Sequence, residues 1–81
     1  MQSFDLPQQA LDHASKVLEQ NRHDLMSRPG VLGVGLGATE DNSAPAIVVY
    51  VDKTSPVQPQ LPSQVDRVAV RVIFTDPIIA Y

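Results

Sequence analysis

The sequence predicts an α+β fold in which one long N-terminal helix packs on a small antiparallel sheet of three or more strands. Three observations lead to it. Apolar residues from Ala10 to Met26 recur at helical spacing, the runs "VLGVGLGAT" and "APAIVVYVD" flank a short polar insert, and "DRVAVRVIFT" alternates with a period of two. The order helix, strand, strand, helical turn, strand equals a ferredoxin-like domain lacking its first strand.

The helix is expected over about residues 6 to 27. Asp5 with Gln8 three residues later makes a capping-box pattern, and Pro7 sits in the first turn, where its missing N–H costs nothing. Leu11, Ala14, Leu18 and Leu25 form the buried stripe, bordered by Ala10, Val17 and Met26. Asp12 with Lys16 and Glu19 with His23 are four-residue pairs on the wet surface. Pro29 turns Arg28 away from helical angles, and Pro29-Gly30 suits the centre of a type II turn.

Strands follow over about 31–38, 46–52 and 67–75. A four-residue loop, Glu40 to Ser43, joins the first two, and without a bulge their paired positions sum to 83. Leu32, Val34 and Leu36 then share the core side with Ile47, Val49 and Val51, opposite a face carrying Val31, Gly33, Gly35 and Gly37. In the third strand Val68, Val70, Val72 and Phe74 form the apolar series. "KTSPVQPQLPSQ" holds three prolines in twelve residues and reads as an irregular crossover with one helical turn at Leu61 to Val65, while "DPIIAY" is an apolar tail with no assigned role.

"GVLGVGLGA" also fits a dinucleotide-binding fingerprint through Gly33, Gly35 and Ala38. That motif requires a helix directly after the glycines, inside a βαβ unit of roughly thirty residues. The next strand begins too soon, and Pro45 intervenes, so the glycines belong to a strand. Tyr50 is expected to lie across Gly33 as an aromatic rescue. A glycine-lined, half-apolar sheet face marks close approach by another surface, which makes Gly33, Gly35, Gly37, Val48, Tyr50, Arg71 and Ile73 the candidate interaction residues.

Composition narrows the function classes. Eighty-one residues make one domain, 1–81, whose small core gains stability from association. Six Lys and Arg against nine Asp and Glu give a net charge of -3, and the cations are scattered, which argues against nucleic acid. The chain has no cysteine, so disulfides, thiolate nucleophiles and Cys-ligated zinc are excluded. No run approaches the ~18 apolar residues of a membrane span, and "MQSFDLPQQALDHASKV" is not a secretory signal, so a cytoplasmic location is the expectation. His13 and His23 lie ten positions apart on the helix and do not converge on one metal. "TEDNS" lacks the oxygens and the glycine of a calcium loop, and no serine sits in a nucleophile elbow. No catalytic, cofactor-binding or metal-ligating residue is assigned.

The runs "RPGVLGVGLG", "APAIVVYVDK" and "LPSQVDRVAVRVIF", over roughly residues 28 to 75, resemble small uncharacterised bacterial α+β domains with the runs "PGVVGVGVG", "PAIVVYV" and "LP..IDGVPVRV". Some of these precede trypsin-like serine peptidase regions of the narrow-leaf-protein kind. The sequence departs from that pattern at Arg67 and Ala69, where glycine and proline are expected, and it contains no peptidase region. The resemblance therefore implies an accessory or interaction role and transfers no catalytic residue.

The leading expectation is a non-enzymatic self-association or protein-interaction module, as a homo-oligomer or with a protein partner. A small-molecule sensor binding at a subunit interface is the alternative, and an enzyme with a site shared between subunits is third.

Overall fold

A computed structural model describes residues 8–76. Helix α1 (Gln8–Met26) is followed by strands β1 (Val31–Ala38), β2 (Pro45–Asp52), β3 (Gln64–Val65) and β4 (Val68–Thr75), in the sheet order β1-β2-β4-β3. The fold is α+β, one N-terminal helix on a four-stranded sheet. The cap expected at Asp5 and Pro7 and the tail from Pro77 lie outside the described residues.

Helix α1 buries Ala14, Val17, Leu18 and Leu25 against the centre of the sheet, where Ile47, Val49 and Val51 of β2 are fully buried. On its wet side the bonds differ from those expected. Gln8 donates to Asp12 at 2.9 Å and Arg22 pairs with Glu19 at 2.7 Å. The Arg22 guanidinium beside it lowers the Glu19 carboxyl below its ordinary value. The helix ends in the expected type II turn: Val31 N–H bonds the Arg28 carbonyl, and Gly30 sits at a φ of 83°.

From Gly33 to Ala38 each β1 residue pairs with the β2 residue that completes the sum of 83. Below Gly33 the register slips, because Leu32 forms a β-bulge. The consequence corrects two side assignments. Val31 pairs with Val51 and packs on the core, whereas Leu32 turns to the glycine face and lies beside Tyr50.

The sheet is mixed, not wholly antiparallel as expected, because β4 runs parallel to β2 from Ala46↔Ala69 to Asp52↔Thr75. The physical cause is the connection. Residues 53–63 are long enough to carry the chain back to the starting end of β2, as a parallel crossover requires. Leu61 packs that segment onto the core, and the Arg28 guanidinium, itself paired with Asp24 at 2.9 Å, donates to the Gln60 carbonyl. The helical turn expected at Leu61 to Val65 is absent, and Gln64 and Val65 form β3 instead.

One helix covers about two strands, since its width is ~10 Å and strands are spaced ~4.8 Å. Helix α1 takes β1 and β2, so the far end of β4 is left uncovered. Val68 is buried, but Phe74, expected in the core, is 58% exposed.

β3 and β4 are joined by two residues, Asp66 and Arg67, with φ of 47° and 69°. Both positive values define a type I′ hairpin, whose favoured residues are Asn-Gly or Asp-Gly. His13 Nε2 lies 2.9 Å from the Asp66 carbonyl and ties the turn to the helix. Arg67 is strained here, in a left-handed position that favours glycine. Arg67→Gly is therefore expected to raise stability by about 1 kcal/mol, read as a higher urea midpoint with an unchanged slope.

Candidate interaction surface

The face of the sheet away from α1 is built by period-two alternation. Across it run the rows Gly33–Tyr50–Ile73, Gly35–Val48–Arg71 and Gly37–Ala46–Ala69. All seven candidate residues therefore lie on one face, and the structure separates them into three kinds.

Gly33 and Gly35 are open. A Cβ built on either would meet no atom within 4 Å, so a side-chain-free strip runs along β1. Tyr50 does not cover Gly33, contrary to the expected rescue. Tyr50 is 41% exposed and lines a shallow groove of about 260 Å³ with Leu32, Gly33 and Thr75. Leu32, turned to this face by the bulge, lines the same groove.

Gly37 and Val48 are closed. The Val48 side chain is buried, and its Cγ2 would lie only 2.8 Å from a Cβ at position 37. Arg71 is a strut. It leaves β4 beside Val48 and donates from Nη1 to the Ala38 carbonyl at 2.9 Å, so its chain crosses β2 to reach β1. Ile73 is half-buried next to Tyr50.

At the hairpin tip Asp41 accepts bonds from the Ser43 hydroxyl and the Thr39 hydroxyl, both at 2.7 Å, and from the Ser43 N–H at 3.0 Å. Those bonds favour the carboxylate and pull the Asp41 pKa down to about 2. Asn42, at a φ of 61°, completes the loop by donating to the Thr39 carbonyl. Here the side chains organise the turn. A second groove, about 390 Å³, is lined by Thr39 and Glu40 of this loop and by Val70, Arg71 and Val72 of β4.

The edges complete the surface. Thr39 N–H bonds the Ala44 carbonyl, which makes the odd residues of β1 those bonded to β2. The N–H and C=O groups of Val34 and Leu36 consequently point outward along a free edge among the described residues. Sequence reasoning missed Leu32 as part of this face, because no composition signal marks the bulge that exposes it, whereas Leu36 keeps its expected helix side and is exposed there at the β1 edge.

Among the described residues no three His, Asp or Glu side chains are grouped to hold a metal, and no helix is long and apolar enough to cross a membrane. Comparison with protein-family profiles, with curated proteins and with solved structures finds no match for the chain.

Proposed function

We propose that the chain is a non-enzymatic self-association module whose sheet forms the contact surface. The observation that carries this is the bare strip over Gly33 and Gly35, bounded by Tyr50 and Val48 and continuous with an edge strand that holds no charged side chain. Glycine lowers strand stability, and a strip of it left open to water returns nothing to a lone copy. Against a second surface it permits backbone approach. Because β4 stands parallel beside β2, in the place a ferredoxin-like first strand would take, no slot is vacant there and the edge left for association is that of β1.

The experiment is sedimentation equilibrium of the wild type and Gly35→Lys. In an isolated subunit a side chain at position 35 has room, so the substitution leaves the fold intact. The wild type is expected to be associated at micromolar concentration, and the variant to shift toward monomer by about tenfold or more in dissociation constant. A monomeric wild type overturns the proposal.

A further inference from the structure

We propose that two copies pair through their β1 edges, antiparallel about a two-fold axis at Gly35, to form one continuous eight-stranded sheet. This rests on the self-association reading and names its contact.

The bonding pattern of β1 sets the register. Outward-facing N–H and C=O groups belong to the even residues, so only pairings of even with even residues form the ladder. The bulge at Leu32 closes one end of the free stretch, and the Ala38 carbonyl, already taken by Arg71, closes the other. What remains is Gly33 to Gly37, centred on Gly35. Pairing about that centre places Val34 against Leu36 of the second copy, and Leu36 against Val34, with both bonds made in each pair. Gly35 then faces Gly35 in the pair without hydrogen bonds, where strands approach most closely.

Two further observations favour a second copy of this chain over a different partner. Leu36 is 43% exposed although it lies on the helix side, and the pairing sets it beside Val34 of the other subunit. The helix also fits. His13 reaches the β3–β4 turn, so the opposite flank of α1, with Leu11, Ser15, Arg22 and Met26, faces the β1 edge. Helix α1 lies over β1 and β2, which would set the two helix axes roughly 10 Å apart, the distance at which helices pack. Met26, exposed in the single subunit, lies on that flank. The other edge is less suited, because β3 covers the start of β4 and the Lys53–Asp76 ion pair lies at its end.

Three variants test this in the full chain. Leu36→Pro removes an N–H that makes no bond to β2, so the subunit keeps its circular dichroism while the dimer dissociation constant rises by about 100-fold or more. Phe74→Lys alters an exposed apolar residue on β4, two strands from the β1 edge, and leaves the dimer intact. Gly35→Cys, in a chain with no other cysteine, forms a disulfide across the axis in glutathione buffer, whereas Gly33→Cys faces Gly37 and does not. If Leu36→Pro perturbs the fold, the cysteine pair decides by itself. A folded Leu36→Pro that stays dimeric, a Phe74→Lys that dissociates, or equal crosslinking at 33 and 35 overturns the edge pairing and leaves self-association standing. A monomeric wild type overturns both.

Discussion

Leu25→Ala is expected to lower stability by about 2–5 kcal/mol, the cost of a deleted leucine whose surroundings collapse only partly. Leu25 is, with Ile47, among the largest fully buried side chains of the described residues, held in the last turns of α1 within the cluster that includes Val17, Ile47, Val49 and Val51. A chain of this size has total stability of order 4–12 kcal/mol, so the loss is a large fraction of it. The melting temperature should fall by roughly 10–30 °C. Leu32→Ala is the informative contrast. Both are leucines on apolar stripes, yet the bulge turns Leu32 into the groove beside Tyr50, where it is 38% exposed, and its loss should cost under about 1.5 kcal/mol. Urea denaturation of the two variants side by side checks this. Equal costs would mean that Leu32 points into the core and that β1 has no bulge.

That contrast marks where the sequence is legible and where it is not. The hairpin register is readable because alternation in both strands and a short polar loop admit one pairing that buries Ile47, Val49 and Val51 together. The bulge is invisible for a physical reason. Exchanging the sides of Val31 and Leu32 swaps one apolar residue for another, so the pattern is unchanged. The direction of β4 is likewise hidden, since a twelve-residue proline-rich segment can return the chain to either end of β2 and the alternation of Val68 to Phe74 is the same both ways. The type I′ turn is obscured by its own residues, because Asp66-Arg67 lacks the glycine that announces such a turn. On the interaction surface, parity in the strands is enough to put all seven candidates on one face. Which of them stand open depends on side-chain positions that parity does not contain.

The glycines illustrate this best, because three residues of one type at equal spacing are expected to answer a single substitution with opposite signs. Gly35→Ala adds a Cβ into open space and removes the excess freedom of glycine from the unfolded chain, so it should stabilise the subunit by about 0.5–1 kcal/mol. Gly37→Ala carries the same gain but sets its Cβ 2.8 Å from Val48 Cγ2. Valine has few alternative rotamers and this one is buried, so the contact is relieved only by moving the strands apart. Overpacking of that kind costs about 1–3 kcal/mol and should outweigh the gain. Adding Val48→Ala removes the colliding methyl, so the double variant should lose less than the two single costs combined, with a coupling of about 0.5–3 kcal/mol. Denaturation of the four proteins, at concentrations low enough to hold them monomeric, reads the sign directly. If Gly37→Ala is as stabilising as Gly35→Ala, then Val48 does not close over β1, and the open strip extends from Gly33 through Gly37.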